Sequence, residues 1–159
     1  MLETAAAAAL PAWVDAGAWV KRGDVHATEA DDVVPVADRA AARAALAAFA
    51  RRGIATACLQ RHVAGDVVKF YTVRDGAFFA WYGGAGVRLD ADGVAALRAV
   101  AAAGAASLAL EVFGGDAVRD GDGNLWLIDL NDWPSYGRCR LQAAEAIAAY
   151  VEQARISIS

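Results

Sequence analysis

The chain has 159 residues, enough for a domain with a buried core, and its apolar fraction of 58% is inflated by alanine. Fifteen Lys plus Arg against nineteen Asp plus Glu leave a net charge of −4, which argues against a general nucleic-acid binder, since such proteins carry a basic face. No apolar run reaches membrane-spanning length, and the two cysteines, Cys58 and Cys139, form neither a disulfide framework nor a zinc motif, so the expectation is a cytoplasmic protein with reduced thiols.

In chain order, the alanine-rich opening "MLETAAAAALPAWV" reads as a weak helix, because it carries Glu3 and lacks the basic start of a signal peptide. "AWVKRGD" (18–24) reads as a strand, "HATEADD" (26–32) as a polar loop, and "VVPV" (33–36) as an edge strand, since Pro35 cannot donate to a ladder. Residues 38–53 read as a helix with Asp38 at the N-cap, Arg51 and Arg52 at the negative end, and Gly53 just beyond it. Strands follow at 55–63, 67–73 and 77–82, the last after a turn at Asp75-Gly76. A helix is expected over 90–104, weakened by Gly93, then strands at 107–118 and 125–130, and a closing helix over 141–154. Hairpins and separate helices indicate an α+β domain, with antiparallel sheets packed by helices.

The segment "RDGDGNLWLIDLNDWPSYG" (119–137) is the most informative. Asp-Gly between two strand-like runs signals a hairpin, because both residues tolerate the positive φ of a type I′ turn. Taking Asp122-Gly123 as the turn places Asp116 opposite Asp129, with Asn131 on the same face one step along. Two carboxylates about 5 Å apart repel by roughly 3 kcal/mol at an effective dielectric of 20, so they need water or a cation between them. Two carboxylates and an amide suit Mg²⁺, a hard ion that takes oxygen ligands and keeps sites for phosphates. The competing reading is a solvated acidic surface, and a turn at Asp120-Gly121 would change the partners. An EF-hand is disfavoured: counted from Asp120, its sixth and twelfth positions hold Leu125 and Asn131 instead of Gly and Glu. No P-loop and no nucleophile-elbow motif is present.

"GGDAV" followed by "LWLIDLNDWPSYG" resembles the last metal-binding hairpin of the ATP-grasp superfamily, where an acid on one strand and an acid-x-Asn pair on the next hold Mg²⁺ on ATP. The resemblance covers roughly residues 18–150 and implies a division into an N-terminal helical segment (1–17), a lid-like subdomain (18–65) and a metal- and nucleotide-binding subdomain (66–159). It implies that Asp116, Asp129 and Asn131 hold Mg²⁺. By the same likeness, Lys21 contacts the ATP phosphates, the backbone of Arg61, His62 and Val63 meets adenine, and Gln60 lies near the adenine amine. The inositol polyphosphate kinases of this fold show similar short runs, matched here by Lys21 and His26, by Gln60, Val63, Gly65, Lys69 and Tyr71, and by Asp129, Asn131, Pro134 and Tyr136. That likeness points His26 and Lys69 toward the acceptor or the γ-phosphate, as catalytic candidates.

The chain also departs from the pattern. Its lid loop has one glycine, Val67 stands where a ribose-binding Glu is common, and Gly114 stands where many ligases carry an Arg. The family's N-terminal subdomain is missing, so the expectation is a fragment, a short member, or half of an assembly completed by a partner chain or a second copy. The implied function is ATP- and Mg²⁺-dependent transfer of the γ-phosphoryl group to a small-molecule acceptor, in first place a carboxylate, with ligation through an acylphosphate. The alternatives are a small-molecule kinase and a nucleotide-binding module without chemistry.

Overall fold

The computed structural model describes residues 2–4, 9–74 and 77–156, which fall into two compact units, Met1–His62 and Val63–Ser159. The first unit contains β1 (Leu2–Glu3), β2 (Ala18–Arg22), β3 (Val33–Val36), α1 (Arg39–Arg51) and β4 (Thr56–Arg61). Its strands form one antiparallel sheet in the order β1-β4-β2-β3. β3 is an edge, which is where Pro35 can sit without costing a ladder hydrogen bond. α1 starts as its sequence dictates, with the Asp38 carboxylate accepting the Ala41 N–H at 2.8 Å. Its buried positions Ala42, Leu46 and Phe49 pack with Val14, Val20 and Ile54. Within the segment expected as a weak helix, the described residues differ: Leu2 and Glu3 pair with Ala57 and Thr56, and Ala12–Ala16 turn as a 3-10 helix. Residues 5–8 lie outside the described part.

The polar loop 26–32 also differs from expectation. It ends in a 3-10 turn, Ala30–Asp32, whose last carboxylate is fully buried. Asp32 accepts the N–H groups of Thr28 and Glu29 at 2.9 and 3.1 Å, and pairs with Arg52 at 2.5 Å, with Arg22 at 3.8 Å. The backbone N–H of Thr28 does most to hold this carboxyl far below the ordinary range, and the Glu29 N–H and Arg52 add to it against the opposing cost of burial.

The second unit contains β5 (Asp66–Val73), β6 (Phe78–Gly83), α2 (Ala91–Ser107), β7 (Val112–Arg119), β8 (Leu125–Asp132) and α3 (Arg140–Ile156). Its four antiparallel strands run β6-β5-β7-β8. The expected turn at Asp75-Gly76 lies outside the described residues. Alternation along the strands gives two faces of different character. Val68, Phe70, Phe113 and Ala117 pack under α2, against Leu97, Ala101 and Ala105. Val73 and Val112, on the other face, pack under α3 against Cys139 and Ala143.

Residues 107–110 were expected in a strand, but α2 runs through Ser107 with Leu108 as its C-cap, so β7 starts at Val112. Gly104, the expected end of the helix, is instead a point of close approach: a Cβ there would lie 2.4 Å from Leu127 Cδ2 and 2.9 Å from Leu130 Cδ1.

Replacing Asp32 with Ala strands Arg52 beside a buried site and lowers the melting temperature by several degrees. The folded pKa lies below the unfolded value of 3.8, so this stabilisation is complete well above pH 3.8 and is lost as the pH falls through the folded value. Thermal melts of Asp32→Ala and the parent therefore differ most near about pH 7 and converge toward about pH 2; a constant gap would contradict the assignment.

Candidate functional site

The β7–β8 hairpin does not turn through two residues. Asp120 N–H donates to the Asn124 carbonyl and Gly123 N–H to the Asp120 carbonyl, both at 3.0 Å, leaving a three-residue loop, Gly121-Asp122-Gly123, with Gly123 at φ +87°. This is a type I turn closed by a left-handed glycine, a common hairpin connection. Asp120 organises it: its carboxylate accepts the N–H groups of Asp122 and Asn124, the Asn124 amide, and the Trp126 indole at 2.8 Å. The indole and the amide of Asn124 are the main reasons its pKa is lowered to about 2. Trp126 is half exposed and braces the turn.

Beyond the turn the ladder pairs Arg119 with Leu125 and Ala117 with Leu127, and the register then shifts. Ile128 is the extra residue on β8, a bulge that restores Asp116 opposite Asp129. The expected pairing therefore exists, but through a different turn and a compensating bulge.

β5 extends this row. Lys69 stands directly opposite Asp116 on one side and Tyr82 on the other, so Tyr82, Lys69, Asp116 and Asp129 run across all four strands. The Lys69 ammonium lies 2.7 Å from Asp116 Oδ1 and donates a hydrogen bond to Oδ2 at 3.0 Å. Burial works to lower the lysine pKa, but the hydrogen bond and charge of Asp116, helped by Tyr71 and Asp129, outweigh it and hold the ammonium above the usual value. Asn131 donates its amide to Asp129 Oδ2 at 2.7 Å, which confirms that the two share a face.

Among the described residues, Asp116 Oδ1 is the buried side-chain oxygen with no hydrogen bond: the ammonium is close enough for ion pairing but poorly directed for bonding. No cluster of three or more His, Cys, Asp or Glu side chains occurs among the described residues, so a metal here would rest on two carboxylates and an amide. That set fits Mg²⁺. It supplies hard oxygens, one of them left unsatisfied, and a half-turn of the Asn131 amide presents its oxygen in place of its N–H.

Two glycines make the arrangement possible. A Cβ on Gly115 would lie 2.2 Å from the Asp129 carbonyl oxygen and 2.9 Å from the Phe70 ring. A Cβ on Gly114 would meet the Tyr71 ring at 2.9 Å and Pro134 at 3.0 Å, so the volume that an Arg would need there is taken. Pro134 leads to Tyr136, which is buried and donates to the Thr72 carbonyl at 3.1 Å; burial raises its pKa to about 12. The Pro-x-Tyr part of the motif thus fastens the loop after Asp129 and Asn131 to β5.

The other candidates, Val63 excepted, stand in the first unit. Lys21 pairs with Cys58 and Val33, and Trp19 pairs with Gln60, on the sheet face opposite α1. His62 Nδ1 accepts the Trp19 indole N–H at 3.2 Å, and the His62 backbone N–H donates to the Gly17 carbonyl. The Arg61 guanidinium lies over the Trp13 ring at 5.2 Å. Val63 begins the second unit and is partly buried, and His26 is exposed in the loop after β2. What sequence reasoning missed is the position of Lys69 against Asp116 and the need for Gly115; the unusual "GG" within a strand was the available signal.

Two described cavities belong to the second unit. The larger, about 530 Å³, is lined by α2 alanines with Phe79, Phe113 and Arg98, on the side away from the carboxylates. The smaller, about 330 Å³, is formed by Trp133, Pro134, Ser135 and Tyr136 with Arg140 and Ile147, directly after Asn131 in the chain.

No protein-family model matches the chain, and no curated protein matches it in sequence. Solved structures do. A D-alanine–D-alanine ligase from Coxiella burnetii superposes with a TM-score of 0.63 at 13% identity, covering 87% of this chain and 47% of the ligase. The ATP-grasp ligase PsnB, in a complex with a phosphomimetic variant of its minimal precursor, Mg and ADP, gives a TM-score of 0.50 at 20% identity over 83% of this chain and 46% of PsnB. The chain has an ATP-grasp fold, of the α+β class, and spans about half the length of these structures.

The contact at Gly115 gives a direct check on this geometry. Gly115→Ala forces β7 and β8 apart at Asp129 and is expected to cost about 1–3 kcal/mol in urea denaturation. A variant as stable as the parent would mean that the strands are not held this closely.

Proposed function

We propose that this chain binds ATP with Mg²⁺ and forms the nucleotide-binding part of an ATP-dependent ligase. The observation that carries the reading is the cross-strand pair Asp116–Asp129, with Lys69 and Asn131 beside it, in a chain of ATP-grasp fold. Asp116, Asp129 and Asn131 would hold the metal, whose contribution when bound is to neutralise the phosphate oxygens. Lys69 supplies a further positive charge at the phosphoryl end, while Lys21 steadies the phosphates and the chain around Gln60, Arg61, His62 and Val63 receives the base. None of these groups needs to move a proton at a reacting atom. Their work is positioning and electrostatic stabilisation, which suffices for phosphoryl transfer.

The preferred acceptor is a small-molecule carboxylate, activated as an acylphosphate, in keeping with the ligases that share the fold. The cavity at Trp133 to Tyr136 is the candidate place for it in this unit. We take the remainder of the acceptor site to come from residues outside this chain, in an adjoining segment, a partner chain or a second copy. Kinase chemistry, with His26 and Lys69 toward a hydroxyl acceptor, is the second reading; it loses some support because Tyr136 is explained by its bond to Thr72. A binding module without turnover is the third. The free thiols, Cys58 half-buried and Cys139 buried, suit a cytoplasmic location. No described helix is long and apolar enough to cross a membrane.

Saturating Mg²⁺–ATP, at roughly a hundredfold excess over Kd, should stabilise the protein by about 2.7 kcal/mol and raise Tm by about 5–10 °C. Asp129→Asn should abolish that rise and leave the unliganded Tm nearly unchanged. If Mg²⁺–ATP leaves the parent's Tm unmoved, the nucleotide reading fails. ATP turnover with and without carboxylate acceptors then separates ligase from module.

A further inference from the structure

Lys69 occupies a peculiar position for a residue whose role would be to meet phosphate. Its ammonium is already engaged, 2.7 and 3.0 Å from the two oxygens of Asp116. Those are the same oxygens that a metal would need. A Mg²⁺–oxygen bond is about 2.1 Å long, so a dication on Asp116 would stand within roughly 5 Å of the ammonium if both stayed, and the two cations would repel. Asp129 is held differently: the neutral amide of Asn131 donates to its Oδ2, and it acts on the Lys69 ammonium by charge, with no hydrogen bond to it. The lysine stem is half exposed and flexible, so the ammonium can swing off Asp116 without disturbing β5.

We infer that Lys69 is the resident counter-cation of the Asp116–Asp129 pair, that a divalent metal binds only by displacing its ammonium, and that an anionic ligand beside the metal makes this exchange favourable by receiving the displaced charge. This rests on the nucleotide reading above and adds to it an order of events: metal alone binds weakly, and metal with nucleotide binds tightly. It also means that the opposed carboxylates exchange one cation for another and do not stand without one.

The test is a titration of the full chain with Mn²⁺ as the Mg²⁺ surrogate, followed by electron paramagnetic resonance, with and without a non-hydrolysable ATP analogue. Without nucleotide, Lys69→Met should bind Mn²⁺ at least about tenfold more tightly than the parent, as expected if the ammonium holds the site nine-tenths of the time or more. Lys69→Gln, which keeps a polar chain on the strand, should behave alike. Arg138→Gln removes the same charge from the guanidinium over the Tyr82 ring, next along the row, and should change affinity by less than about threefold. The analogue should tighten Mn²⁺ binding more in the parent than in either Lys69 variant. If both Lys69 variants bind Mn²⁺ no better than the parent while the parent's nucleotide-dependent binding is lost in Asp129→Asn, the exchange is overturned and the nucleotide reading stands. Equal tightening by Arg138→Gln also overturns it, since that would be a general charge effect. If no protein shows Asp129-dependent Mn²⁺ binding, with or without nucleotide, both readings fall.

Discussion

Two carboxylates facing each other across neighbouring strands must be neutralised, and the second unit is arranged around that requirement. Asp116 and Asp129 meet because Ile128 is bulged out of the ladder and because Gly115 has no side chain to hold β8 away. Lys69 supplies the opposing charge from β5, the strand on the other side of β7. The same closeness at Gly114 makes room for Tyr71 and Pro134, and Tyr136 then ties the following loop to Thr72. Each feature would be an oddity in an ordinary sheet: a double glycine, a bulge, a mid-strand lysine. Gly115, the bulge and the lysine together let the two carboxylates face each other with a cation beside them.

The two faces of this sheet explain why the site is accessible. α2 covers one face with an apolar layer, so any charge there would be buried without a partner. α3 covers the other face only where Val73, Val112 and the tyrosines lie. The charged row is on that second face, beyond the apolar layer that packs α3. In the first unit the equivalent division puts α1 on one face and Trp19, Lys21 and Gln60 on the other. A fold of this kind hosts several chemistries, so likeness to ligases describes the scaffold, and the row of side chains carries the functional argument.

Some elements were plain in the sequence because their causes are local. The Asp38 cap starts its helix with a side-chain oxygen on a nearby N–H, and Pro35 marks an edge by lacking one. Asp116 opposite Asp129 was legible too, although the turn that leads there was misread and the bulge that corrects it was not visible. Other features were hidden because their causes are distant in the chain. Asp32 looked like a loop residue until Arg52, twenty positions on, closed over it. Gly104 looked like a helix end, yet its role is to let α2 approach Leu127 and Leu130. Residues 107–110 are apolar enough for a strand, and only the continuation of α2 excludes them.

The sequence by itself determined the α+β class, the helix starts, and the types of side chain available for holding a hard cation, since these follow from caps, periodicity and donor chemistry. Only the tertiary structure decided that Lys69 lies on Asp116 and so joins the row of the Asp116–Asp129 pair. Strand neighbours are chosen by packing and backbone pairing across the forty-seven positions that separate Lys69 from Asp116, and no local pattern encodes such a contact.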